Sequence, residues 1–174
     1  KAITLTGGTT VLNSATTSFN SSAALGTVVV AGSDAATTFS LNGTNGANNV
    51  TGGAANDTIT ISAVGTAVQT VAGGAGTDTL NMTLTATTAS AASISAVENI
   101  NLTLTNNTVT DINTDGLQQA ALTNLTVTGG NAASGITLRN TVTPANVFGA
   151  GAGFKSLDAT GVSGVVDATI GAAG

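Results

Sequence analysis

"GGAANDTITIS", residues 52–62, returns as "GGAGTDTLNMT" at residues 73–83. Each copy opens on paired glycines, reaches an Asp, and then alternates apolar with polar residues. Glycine and Asn favour tight corners that need unusual backbone angles. The alternation sets Ile59 and Ile61, and in the second copy Leu80 and Met82, on one face, with Thr and Asn on the other. A period of two is the mark of a half-buried strand. A corner followed by a strand, then the same again, is the pattern of stacked β-structure.

Working outward, the unit is nine residues long. "GTNGANNVT" (43–51) runs directly into "GGAANDTIT" (52–60), and "GGAGTDTLN" (73–81) follows after an interval. All three fit a glycine-rich nonapeptide whose sixth position is Asp and whose eighth is apolar. Val50, Ile59 and Leu80 hold the apolar position; Asn48 and Ala55 depart from the pattern. Two such units make a turn of about 18 residues, so the offset between the two Asp-bearing copies reads as one turn plus a short insertion. A looser frame covers the second half: "VENINLT" (97–103), "LTNLTVT" (122–128) and "FKSLDAT" (154–160). Further alternating stretches lie at 99–105, 124–128 and 135–139. The reading is an all-β chain folded as a parallel β-helix or β-roll-like solenoid with irregular loops. A β-sandwich also has short strands and Gly-rich turns, but it does not require a nine-residue register. Residues 115–122 suit a short helix or a loop, and Pro144 a loop or an edge.

Composition agrees. Of 174 residues, 41% are hydrophobic but only 2% aromatic, so the core is built from small and branched side chains. Charged residues are 6%, against roughly 25% in an ordinary globular protein. The net charge is −5, and Lys1, Arg139 and Lys155 are the cations. Three scattered cations cannot neutralise a phosphate track, which excludes nucleic acid as a partner. The chain has no Cys and no His, so disulfides, ordinary zinc sites and His-based proton transfer are excluded. No apolar run is long enough to span a membrane as a helix. The first and last residues fall within the pattern, as in an excised or processed piece of a longer protein.

Asp57 and Asp78 hold the same position in units one turn apart. Stacked rungs lie ~4.8 Å apart and calcium binds oxygen at ~2.3–2.6 Å, so an ion between the two corners reaches both carboxylates. The alternative reading makes both Asp ordinary turn residues that bond their own backbone. Without a cation, stacked carboxylates repel by about 1 kcal/mol in water and about 3 kcal/mol at an effective dielectric near 20, a cost that a wet surface tolerates. Both readings stay open on the sequence. Other acidic residues read more plainly: Asp34 as a turn residue, and Glu98 as a solvated corner or a salt bridge to Lys155. Asp111 with Asp115, and Asp158 with Asp167, are turns or weaker oxygen sites.

The nonapeptides resemble the RTX calcium-binding β-roll repeats of secreted bacterial proteins. The Thr-, Ala- and Asn-rich texture, with "SAVENINLTLT", "ALTNLTVTGG" and "FKSLDATGVSG", resembles RTX-containing S-layer proteins of Gram-negative bacteria. The resemblance implies Ca²⁺ held by Asp57 and Asp78, with carbonyl donors at Gly52, Ala54, Gly74 and Gly76. It implies secretion and assembly on the cell surface, with other copies of the chain as partners and cell-surface polysaccharide as a further one. It divides the chain into an N-terminal β segment continuous with a preceding domain (1–42), an RTX-like β-roll (43–85) and irregular solenoid rungs (86–174). The rival to an S-layer domain is the stalk of an RTX adhesin or biofilm protein. An enzyme is a poorer reading: the chain lacks His and Tyr and has one Arg and one Glu.

Overall fold

A computed structural model describes residues 16, 18–22, 26–44, 46–65, 67–85, 93–105 and 121–129 in full. Elsewhere it describes the strand backbones at 2–4, 8–11, 111–113, 136–139, 156–162 and 166–168. In chain order the strands are β1 (Ala2–Thr4), β2 (Gly8–Val11), β3 (Ser18–Ser21), β4 (Val28–Ala31), β5 (Thr38–Asn42) and β6 (Asn49–Thr51). Next come β7 (Thr58–Val64), β8 (Thr70–Ala72), β9 (Thr79–Leu84), β10 (Ser93–Ser95) and β11 (Asn99–Leu104). The last are β12 (Asp111–Asn113), β13 (Asn124–Gly129), β14 (Ile136–Arg139), β15 (Ser156–Val162) and β16 (Val166–Ala168). There is no helix among the described residues.

Odd-numbered strands form one eight-stranded parallel sheet in the order β1-β3-β5-β7-β9-β11-β13-β15. Even-numbered strands form the facing sheet β10-β8-β6-β4-β2 and a separate three-stranded sheet β12-β14-β16. The chain therefore crosses from one sheet to the other and back on each circuit, which makes it a parallel β-solenoid. The eight-stranded sheet runs on through both 42/43 and 85/86, where β5 pairs with β7 and β9 with β11.

Stacking in register explains the core. Phe19, Phe39, Ile59, Leu80, Ile100 and Leu125 are successive partners in the eight-stranded sheet. All six are fully buried. Leu41, Ile61, Met82, Leu102 and Val127 form a second buried column, and Val30, Val50, Val71 and Ile94 face them from the other sheet. Ile59, Ile61, Leu80 and Met82, set on one face by their alternation, are all inside, and so are Ile100, Leu102, Leu125 and Val127 of the alternating stretches at 99–105 and 124–128. Phe19 and Phe39 meet at 6.3 Å between ring centres with a 55° tilt, an edge-biased aromatic contact. The looser frame of the second half stacks as read from β11 to β13, with Ile100 on Leu125. From β13 to β15 it holds through Leu125 on Leu157 and Thr126 on Asp158, then slips by one residue, so that Thr128 pairs with Gly161 instead of Thr160.

The turn length differs from the expectation. Phe39 pairs with Ile59, Ile59 with Leu80, and Leu80 with Ile100, so a circuit takes 20 or 21 residues throughout this region. No single 18-residue turn carries an insertion. The nonapeptide joins a six-residue corner to a three-residue strand, whereas β5, β7, β9 and β11 are 5, 7, 6 and 6 residues long. The extra residue of β7 sits in a bulge between Ile61 and Val64, where Ala63 takes a φ of 54°. Residues 115–122 lie mostly outside the described part, as does Pro144.

Candidate metal centre

Six-residue corners at 32–37, 52–57 and 73–78 precede β5, β7 and β9 and stack on one another. Gly32 N–H donates to Thr51 O, Gly52 N–H to Ala72 O, and Gly73 N–H to Ser95 O, each one rung on. The column Gly32–Gly52–Gly73 is packed backbone on backbone: a Cβ on Gly52 would collide with Gly73 O and lie 2.6 Å from Asp57 Oδ2. Small residues here are a condition of stacking. Gly74 and Gly76 have φ of 107° and 128°, the left-handed region that glycine adopts without strain.

The residue just before each strand fills the corner from inside. Asp57 and Asp78 are 1% and 0% exposed. The register places them one rung apart, because Thr58 pairs with Thr79. Asp78 Oδ1 accepts the Asp57 N–H at 2.7 Å. Asp57 Oδ1 accepts the Thr37 N–H at 2.7 Å, and its Oδ2 accepts the Gly53 N–H at 2.6 Å. Glu98 continues the column by accepting the Asp78 N–H through Oε2 at 2.6 Å. Each acidic side chain thus takes the backbone N–H of its counterpart one rung earlier. The carboxylates do bond backbone, but mainly the neighbouring rung's, beyond the local bonding of an ordinary turn.

One atom breaks the pattern. Asp78 Oδ2 is the buried side-chain oxygen that has no hydrogen-bond partner among the described residues. In the preceding corner the same oxygen takes the Gly53 N–H; at Gly74 the positive φ accompanies the loss of that contact. A buried acceptor left open costs about 1–3 kcal/mol. Burial pushes the Asp78 carboxyl above the ordinary carboxylate range; the Asp57 N–H opposes this, and repulsion from Asp57 and Glu98 adds to it.

The structure brings together two of the expected ligands, Asp57 and Asp78. Of the expected carbonyl donors, Gly52 is buried in the stack, and Ala54, Gly74 and Gly76 lie on the exposed outer arc. Gly74 packs over Gly53 and Gly76 over Ala55. Among the described residues no group of three or more His, Cys, Asp or Glu is placed to hold a metal. The corner offers a cation one open anionic oxygen, Asp78 Oδ2; both oxygens of Asp57 are already taken by N–H donors. Calcium takes about 6–8 oxygens, and Asp78 Oδ2 is the buried carboxylate oxygen left without a hydrogen-bond partner among the described residues to serve as one of them.

The facing corner uses amides. Gln69 Oε1 accepts Asn48 N–H at 3.2 Å and Asn48 Nδ2 at 2.9 Å, while Asn48 Oδ1 accepts Val28 N–H at 3.2 Å. Gln69 and Asn48 are as buried as the two Asp. Sequence reasoning passed over Gln69 because it sought Asp; its signal is its place just before a strand, 21 residues after Asn48. Glu98, expected as a solvated corner or a partner of Lys155, is instead half-buried and holds the Asp78 N–H. Asp34 lies exposed in the 32–37 corner, as expected of a turn residue. Lys155, Asp115 and the side chains of Asp111, Asp158 and Asp167 lie outside the described residues.

The geometry defines the class as a parallel β-solenoid with polar side-chain ladders at its corners. Comparison with protein-family models, curated proteins and solved structures finds no match to the chain.

Proposed function

We propose that the chain is a structural domain of a secreted bacterial surface-layer protein, which self-assembles on the cell surface and is stabilised by calcium at Asp78. One observation carries this reading. From β3 to β13, every residue of the eight-stranded sheet that is not buried is Ser, Thr or Asn, apart from Ala63 and Gly129. Such a face bonds to neighbours without like-charge repulsion, which suits close packing of copies. Binding energy at the acidic corner would add directly to folding stability, and would do so only where calcium is plentiful, outside the cell.

Two experiments test the reading. Electron microscopy of the surface of cells that carry the protein should show a periodic sheet; scattered fibres would favour the adhesin stalk. Isothermal titration with calcium chloride tests the cation separately. The parent chain should take up calcium and Asp78→Ala should not. Equal uptake by the two would remove Asp78 from the site.

A further inference from the structure

We propose that the outer face of the eight-stranded sheet is a self-association surface that docks against the same face of a second copy. The inference rests on the self-assembly reading and names one of the surfaces that would serve it, the one that pairs two copies.

The face is regular in both directions. Its central column runs Ser40, Thr60, Asn81, Asn101, Thr126, each the register partner of the last. Hydrogen bonds run along the columns. Asn101 Nδ2 donates to Asn81 Oδ1 at 2.8 Å, and Asn124 Nδ2 to Asn99 Oδ1 at 2.7 Å. Side chains already held by one another lose little further freedom on binding, which removes part of the usual cost of association.

The occupant follows from charge and spacing. A face without a charge does not select a charged partner. Its hydrogen-bonding groups repeat at the rung spacing of ~4.8 Å. A second copy of the same face repeats at the same interval, so a contact that fits at one rung fits at all of them. Ladders of small polar side chains pair in this way in tightly interdigitated sheet interfaces, and a face that docks on itself gives a closed two-fold contact.

Area sets the strength. The six strands from β3 to β13 span ~29 Å, and five residues along each span ~17 Å, or about 500 Å² per copy. Two such faces bury about 1,000 Å², the lower edge of a stable interface. One such contact is therefore weak, and it gives a dimer that forms only as concentration rises.

Sedimentation velocity of the 174-residue chain in calcium tests this. The parent should show concentration-dependent association. Thr83→Lys with Thr103→Lys sets like charges against each other across the docked faces and should weaken association by about tenfold or more. About 1 M salt, where the Debye length is ~3 Å, should restore part of it. Thr51→Lys with Thr70→Lys, on the facing sheet, should leave association unchanged. Circular dichroism checks folding, and Thr103→Glu alone replaces the Lys pair if that pair unfolds. A parent that associates while the Lys pair associates equally overturns this surface and leaves self-assembly standing. A parent that stays monomeric overturns both. Unchanged sedimentation with lost retention on a cross-linked dextran matrix overturns it in favour of a neutral polysaccharide.

Discussion

The backbone N–H of Asp57 donates to Asp78 Oδ1 at 2.7 Å, across one rung and 21 residues of chain. That bond makes Asp78 part of the fold whether or not a cation is present. Asp78→Ala leaves a buried N–H without its acceptor and should cost about 1–3 kcal/mol. Asp78→Asn keeps an acceptor oxygen and removes the charge that faces Asp57 and Glu98. In chelator, the Asn variant should be at least as stable as the parent. In calcium the parent should gain stability and the Asn variant should not. Urea midpoints in both conditions read this directly.

The amide corner makes a matching prediction. Gln69 serves Asn48 through Oε1 and gives its own Nε2 hydrogens to Gly46 O and Ala67 O, both at 3.0 Å. Gln69→Leu preserves bulk but strands the Asn48 N–H, so it should cost about 1–3 kcal/mol. This loss should be the same with calcium and with chelator, since no carboxylate lies in that ladder. A calcium-dependent loss in thermal melts would contradict the division into one acidic and one amide corner.

The strands at 58–64, 79–84, 99–104 and 124–129 were legible because Ile, Leu, Met and Val alternate there with Thr and Asn. Their inward phase was equally plain, since one face of each strand must be apolar to bury anything. The first rungs were harder to see. "SFNS" and "VVVA" are four residues each, and their alternation becomes informative only against Phe39 and Val50 on the next rung. At the corner, the Asp57–Asp78 pairing followed from the repeat. The direction of the carboxylates did not, because it depends on which backbone N–H groups the turn leaves inside. The same limit hid Gln69 and the backbone bond of Glu98, whose residue types break the motif while their positions keep it.

Two glycines, one opening the 52–57 corner and one following β7, separate packing from flexibility. A Cβ on Gly52 would collide with Gly73 O, whereas one on Gly65 would meet nothing within 4 Å. Gly52→Ala should force the backbone stack apart at a cost of about 1–3 kcal/mol or more. Gly65→Ala should be neutral or stabilising by up to about 1 kcal/mol, through the unfolded chain. Denaturant unfolding of the two variants side by side decides it. An equal effect would mean that the glycine column does not pack as described.

The acidic column also fixes the sign of a pH effect. Burial, together with repulsion from Asp57 and Glu98, raises Asp78 above its ordinary value despite the opposing N–H of Asp57. An unfolded Asp releases its proton near pH ~3.9, whereas the folded chain holds on to it to higher pH. In that window the folded state binds more protons than the unfolded state, so stability falls as pH rises. The contribution is fully present below the unfolded value and is lost as pH climbs through the folded one. This is the reverse of a salt-bridged carboxylate. The measurement is the urea midpoint of the parent and of Asp78→Asn, both in chelator, at stepped pH upward from about 3.5. Other carboxylates act on both chains alike, so the difference between them isolates Asp78 to the extent that their couplings to it are small. The parent should lose ground to the variant as pH rises and then hold a constant deficit. A difference that stays flat throughout would mean that the Asp78 carboxylate ionises freely in the folded corner. The open Oδ2 would then have a partner in solution.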